Sequence, residues 1–537
     1  MTTVKIVNAT VFDGSGAPPF VGDVTVSDGR IVNVTRGKDT STETADQVID
    51  ASGLSLMPGL IDAHSHNDYF YDYSRAEDYY RPFIEQGITT QVTGNCGFSV
   101  FGVDPATPHM DEVRKNLFTS KQPAGYEAFR AAAEGNLYVN MAPLIGHGMV
   151  RSGIAGKADR ELTEAELDRM CAAVDEAMSA GAFGGSLGLM YEPGMYAPKA
   201  ELVRFAECLK KQDGILTVHP RACSKIAMDY PLLSKPHIEL ALDEVVEIMK
   251  ASGVRAEYSH MIFVGRKSHR CIDAMLRTIK DCRREGHEIA YDIYSMTFGA
   301  SIITVVCPPW YLALSPEKRK SRFNRLRLKL MIDISRALLG IDYEDMQISY
   351  LTDKPEDRAL EGRTVAEIAA ETGQKPFDVY LDLVERSDGQ GQIFLHQYLT
   401  EDLIERLMRD EDSVFMTDAW YTPKGRQNTA AFQCFPNFFR IAAERGIAPE
   451  AVIHKMTGKT AERFRIPERG FIREGYRADL TLADPSLLTV DLDEPTYRSP
   501  LIRSVMINGQ WAMLDGIFNP RIRAGKVLVK APSENNL

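Results

Sequence analysis

Four histidines, one cysteine and one aspartate stand at positions in this sequence where side chains can do chemistry. His64 and His66 close the run Asp62-Ala63-His64-Ser65-His66-Asn67-Asp68. Two residues apart on a strand, they project to one face and can share a metal ion. Hydrogen bonds at a strand end would explain an isolated pair of this kind equally well. The Gly59-Leu60-Ile61-Asp62 segment before it, however, supplies a buried strand leading into both rings. Gly94-Asn95-Cys96-Gly97 sets a cysteine among glycines, which permit close backbone approach. A thiolate there could bridge two cations, and adjacent positive charge would lower its pKa. The other seven cysteines read as small buried apolar residues. His219 (Thr217-Val218-His219-Pro220-Arg221) and His260 (Tyr258-Ser259-His260) end two more runs, and Asp418 (Met416-Thr417-Asp418) ends another. Neutral imidazoles suit zinc and related metals.

The elements that must position these residues follow from the hydrophobic pattern. Eight short runs end in or beside polar residues: Ser55–His66, Ile88–Cys96, Leu137–His147, Gly184–Leu189, Gly214–Arg221, Arg255–His260, Glu288–Tyr294 and Asp412–Asp418. Amphipathic helices fit between most of them, Thr163–Ala180 and Asp243–Ala251 most clearly. Eight strand–helix alternations predict a (β/α)₈ barrel, with reactive residues at the C-terminal strand ends. A doubly wound open sheet is the weaker alternative, because no Gly-rich phosphate loop follows the first strand. Both chain ends carry short alternating strands and turns, such as Asp28-Gly29-Arg30 and Asn508-Gly509. Residues 1–57 and 470–530 are therefore expected to close one small β-sandwich. Residues 58–469 would form the barrel, and 299–362 an inserted lid too long for a simple loop.

Composition excludes several classes. Of 537 residues, 44% are hydrophobic and 25% charged, an ordinary globular balance that can bury a large core. The net charge of −12, without a basic block, argues against nucleic acid. The N-terminus lacks the basic flank and apolar run of a secretion signal. The most apolar window, Ser301–Leu314, is too short to span a bilayer and contains Pro308-Pro309. A soluble, cytoplasmic protein without a disulfide framework is expected. Homo-oligomerisation is open, since nothing in the sequence marks an interface.

The constellation resembles the amidohydrolase superfamily, and within it the D-aminoacylase (N-acyl-D-amino-acid deacylase) branch. The similarity runs from Pro58-Gly59-Leu60-Ile61-Asp62-Ala63-His64-Ser65-His66 through Gly94-Asn95-Cys96-Gly97 and Gly146-His147-Gly148. It continues in Leu187-Gly188-Leu189 with Tyr191 and Pro193-Gly194, in Pro308-Pro309-Trp310, and in Met456-Thr457 to Asp479. The resemblance implies one or two zinc or similar ions. His64 and His66 would hold the first, His219 and His260 the second, with Cys96 as the bridge and Asp418 touching the first. Related hydantoinase-like enzymes bridge with a carboxylated lysine from the fourth strand, and Ala182–Gly194 contains no lysine. The implied reaction is hydrolysis of an amide C–N bond in a small-molecule substrate by metal-activated water, with Asp418 handling protons. A cyclic amide, lactone or ester is the alternative substrate class, and a non-catalytic metal-binding barrel the alternative of another kind. His147, Arg221 and Tyr294 lie near strand ends and could contact substrate, although His147 could equally make a structural hydrogen bond and Arg221 could simply balance acidic groups. Three positions depart from the branch. Ile262 stands where a lysine is usual, Ala300 where a serine is usual, and Asn428-Thr429-Ala430 where a His-Pro-Arg segment is usual. The family uses these positions to grip the substrate carboxylate, so an altered carboxylate site is expected.

Overall fold

Eight parallel strands form the centre of the computed structural model, which describes residues 3–37, 45–115, 125–227, 230–231 and 235–531. They are β1 (Leu60–Asp62), β2 (Ile88–Thr93), β3 (Asn140–Gly146), β4 (Gly184–Gly188), β5 (Ile215–His219), β6 (Arg255–Tyr258), β7 (Ile289–Ile293) and β8 (Ser413–Phe415). Each pairs in parallel with its neighbours in chain order. All eight are buried throughout, facing helices on one side and the barrel interior on the other. That explains why they read as continuous apolar runs rather than alternating ones. Helices fall between them with clear end signals. Glu164–Ser179 starts at Thr163, whose side chain exchanges a reciprocal capping box with Glu166. His237–Ser252 ends at Gly253 in the left-handed conformation.

The seam between β1 and β8 is closed by few contacts. Ala63 N–H donates to Phe415 O at 3.1 Å, and Asp418 N–H to His64 O at 3.1 Å. The fully buried Asp62 carboxylate spans the same seam. Its Oδ1 accepts from the Thr417 backbone N–H at 2.9 Å and from His64 N–H at 3.3 Å. Its Oδ2 accepts from the Thr417 hydroxyl at 2.7 Å and from Gln91 Nε2 at 3.2 Å.

The run read as one strand, Ser55–His66, is two strands. Ser55–Pro58 belongs to a second sheet, and the chain breaks at Gly59 before β1. A Cβ at Gly59 would lie 2.2 Å from the Thr89 hydroxyl, so only glycine fits at this crossing. The second sheet has nine strands, five from Thr3 to Pro58 and four from Leu480 to Phe518. Ser55–Pro58 pairs antiparallel with Leu480–Ala483 and joins the two chain ends. The sheet curls back so that Ile31 N–H reaches Tyr476 O and Ala478 N–H reaches Gly29 O. Val4, Ile6, Val11, Val24, Val26, Leu56, Leu480, Leu482 and Met506 pack inside it. One curled sheet thus encloses the core where two facing sheets were expected. Between β7 and β8, Phe298–Ile302, Met346–Tyr350 and Gln392–His396 form a three-stranded antiparallel sheet. The inserted unit therefore continues past residue 362, because its central strand, Gln392–His396, lies 30 residues further on.

Asp62→Ala removes four hydrogen bonds, two of them across the seam, and leaves the Thr417 and Gln91 donors buried. The expected cost is about 3–5 kcal/mol. A fall in the thermal midpoint of the metal-free protein, read by calorimetry, checks it.

Candidate metal centre

The C-terminal ends of the barrel strands bring six of the predicted residues together. His64 and His66 leave β1, Cys96 follows β2, His219 ends β5, His260 follows β6 and Asp418 follows β8. Cys96 Sγ lies 3.3 Å from His64 Nε2 and 3.6 Å from both His219 Nδ1 and His260 Nε2. His219 Nδ1 and His260 Nε2 face each other at 2.9 Å. On the other side of His64, Asp418 Oδ1 is 3.6 Å from both His64 Nε2 and His66 Nε2. Two groups could each hold an ion: His64, Cys96 and His260, and His64, His66 and Asp418.

Local sequence fixes these positions. The Cys96 loop is clamped from β4 and β5: Gly97 N–H donates to Ser186 Oγ at 2.9 Å, and the Ser186 hydroxyl donates to Gly94 O at 2.5 Å. The Thr217 hydroxyl donates to Asn95 Oδ1 at 3.0 Å. Gly94 is required, because its φ is +78° and a Cβ there would meet Leu144 O at 2.0 Å. Cys96, His260 and Asp418 themselves adopt positive φ, at 54°, 37° and 46°. Such backbone costs on the order of 1–3 kcal/mol per residue and concentrates at functional sites. Asp292 at the end of β7 supports the centre from behind. Its Oδ1 accepts the His260 backbone N–H at 2.5 Å, and its Oδ2 lies 3.4 Å from His64 Nδ1.

The donor chemistry fits a divalent ion. Burial holds the imidazoles of His64 and His260 down to about 3 and 4, and that of His219 well below its ordinary value, so all three offer lone pairs. Burial, with the nearby Asp418 and Asp292, pushes the Cys96 thiol up, so a thiolate here requires a cation beside it. Removal from water raises the Asp418 carboxyl, but its hydrogen bond with His66 and the adjoining imidazoles more than offset this and hold it below the usual carboxylate range. A single proton can join only one pair of these lone pairs at a time, whereas a divalent ion accepts several. Ligands about 2.0–2.3 Å from a tetrahedral ion stand roughly 3.3–3.6 Å apart, the spacing found around Cys96 Sγ. Four imidazoles, a thiol and a carboxylate together suit zinc and its neighbours.

The three residues expected to contact substrate differ in placement. His147 is fully buried; its Nε2 lies 2.9 Å from Glu201 Oε1, and Arg151 bonds both oxygens of the same carboxylate. Arg221 makes a two-point ion pair with Glu244, at 3.0 and 3.1 Å, and donates to Met195 O. Tyr294 follows β7 and is buried. Reading residues from the sequence missed Asp292 and gave Tyr191 no site role. Asp292 is an acidic residue inside the apolar run Ile289–Ile293, and that was its available signal. Tyr191 is partly exposed; its ring lies tilted against that of His219 with centroids 4.5 Å apart, and its hydroxyl is 3.4 Å from His219 Nδ1.

Comparison with known proteins places this geometry in context. The sequence model described as the amidohydrolase family matches residues 47–222. The chain is 31% identical to the N-acyl-D-aspartate deacylase of Alcaligenes xylosoxydans xylosoxydans, over 97% of this chain and 94% of that enzyme. It superposes with a TM-score of 0.78 and 26% identity on the N-acyl-D-glutamate deacylase of Bordetella bronchiseptica, covering 98% of this chain and 99% of that one. That crystal structure contains zinc and a phosphonate inhibitor that mimics the tetrahedral intermediate. A D-aminoacylase with a binuclear metal centre, activated by one metal and attenuated by the second, superposes at 0.77 with 27% identity, over 98% of this chain and 99% of that one.

Cys96→Ala removes the atom shared by His64, His219 and His260. Metal retained after dialysis should fall by about tenfold or more, with the fold intact by circular dichroism. Mass spectrometry of bound metal reads the outcome.

Proposed function

This chain belongs to the amidohydrolase superfamily, in its D-aminoacylase branch, and is a metal-dependent hydrolase of an amide C–N bond; from that premise we propose roles for its own residues. The observation carrying the proposal is the convergence of Cys96, His64, His219 and His260, with Asp418 within 3.6 Å of His64 and His66. His64, His66, Cys96, His219 and His260 hold one or two ions, and the donor set favours zinc. When bound, such an ion lowers the pKa of water toward neutrality and polarises the amide carbonyl. Asp418 accepts the proton of the attacking water at its carboxylate and passes it to the leaving nitrogen. Its side chain is one-quarter accessible beside a fully buried His64, which leaves it open to substrate. Tyr191, with its hydroxyl facing the same nitrogen as Cys96, donates to the developing oxyanion. His147 buttresses the β3 end through Glu201 and Arg151, while Tyr294 is buried just beyond the end of β7.

Substrate preference follows from the departing positions. Ile262 is an apolar residue two places beyond His260, and Ala300 and Asn428-Thr429-Ala430 supply no cation. Arg221 is neutralised by Glu244 and does not replace the missing charge. A substrate carboxylate placed there would lose hydration without gaining a charged partner, which disfavours ordinary N-acyl-D-amino acids. The preferred substrate is an amide carrying a less polar group at that point.

Two measurements test this reading. Asp418→Asn should retain its metal and fold while losing roughly 10²–10⁴-fold in kcat; near-native turnover at unchanged metal content would remove Asp418 from its role. With N-acetyl-D-methionine, kcat/KM should stay below about 10⁴ M⁻¹s⁻¹ and be exceeded by amides lacking the carboxylate. A value above that would restore the ordinary D-aminoacylase preference.

A further inference from the structure

Among the described residues, half of the large hydrophobic side chains left exposed lie between Ile302 and Leu338, inside the unit inserted between β7 and β8. Five of them share one helix, Arg322–Leu339. Phe323 is 73% exposed, Leu326 68%, Leu330 61%, Ile334 49% and Leu338 39%. Steps of three, four, four and four residues place them in a single stripe, about 22 Å long at 1.5 Å per residue. The opposite face of the helix buries Leu328 and Ile332 against the insertion. The stripe is therefore not the helix's own packing face. Scattered single apolar residues are ordinary on a surface, whereas a continuous band of this length marks an interface.

We infer that the band binds the same band of a second copy of this chain, the two helices running antiparallel about a two-fold axis. Charge beside the stripe selects the partner and its direction. Lys329 and Asp333 form an ion pair one turn apart, with side chains 43% and 36% exposed, on either side of the helix midpoint. Antiparallel pairing that lays Phe323 against Leu338 of the second copy puts Leu330 at the axis and each Lys329 beside Asp333 of the other copy. Parallel pairing would carry the Lys329–Asp333 flank of the two copies to opposite sides of the contact and leave these charges without a partner across it. The contact is isologous and closes at two copies. An anionic membrane is a poorer match, although the helix is rich in basic residues. Arg325 and Arg336 are already paired with Glu385 and Asp342, and Arg327 lies over the Trp310 ring.

Light scattering on the full-length, metal-loaded protein at micromolar concentration tests the assignment. The expected mass is twice 59.9 kDa. Leu330→Glu should give a monomer with unchanged circular dichroism and amide-hydrolysing activity. K329E or D333K alone should weaken the dimer by about tenfold or more, and the K329E/D333K double variant should restore it. A monomer at every concentration would overturn the inference, as would a dimer indifferent to both L330E and the single charge variants. Sedimentation of a monomer with phosphatidylserine vesicles would instead assign the band to a membrane surface and overturn it too.

Discussion

The placement of the catalytic centre depends on one buried carboxylate at a short seam. β1 and β8 are three residues each, and the barrel must close where they meet. Asp62 closes it by accepting four hydrogen bonds, two of them from Thr417. His64 and His66 leave one side of this seam and Asp418 leaves the other. The 3.6 Å separations of Asp418 from both imidazoles are therefore set by a bond network two residues below them. That clamp, with the Ala63–Phe415 and Asp418–His64 backbone bonds, holds in register residues more than 350 positions apart.

A second constraint is charge. Imidazoles held neutral by burial, a thiol pushed up by burial and an ionised carboxylate converge at one rim of the barrel. Such a set is poorly satisfied by its own protons, and a bound cation resolves it. The same demand accounts for the left-handed backbone at Cys96, His260 and Asp418, where the fold accepts strain to aim each side chain inward. The strain is bearable because glycines at 94 and 97, Ser186 and Asp292 hold the surrounding backbone rigidly.

Much of this was legible in the sequence, for physical reasons that differ by residue. Barrel strands are buried on both faces, so they announce themselves as apolar runs, and a polar residue at the end of each marks the mouth. His64, His66, Cys96, His219, His260 and Asp418 were therefore readable as one rim. Asp292 was not, because its role depends on a contact between β6 and β7 that no local pattern encodes. That Arg221 could balance acidic groups was legible, whereas its partner Glu244, on the following helix, was not. The break at Gly59 was hidden because both sides of it are apolar, and only the close approach of Thr89 shows why a glycine stands there. The exposed band on Arg322–Leu339 was masked for a related reason. Amphipathic periodicity shows that a helix has two faces, and here the apolar residues lie on both.

The Cys96 thiolate and the imidazoles of His64, His66, His219 and His260, from four strand ends, are the proposed ligands of a shared metal. X-ray absorption at the edge of the metal that copurifies with the full-length protein tests this most directly. The account predicts a sulfur scatterer at about 2.3 Å together with nitrogen or oxygen scatterers at about 2.0–2.1 Å. A first shell of nitrogen and oxygen alone, with no sulfur, would contradict it.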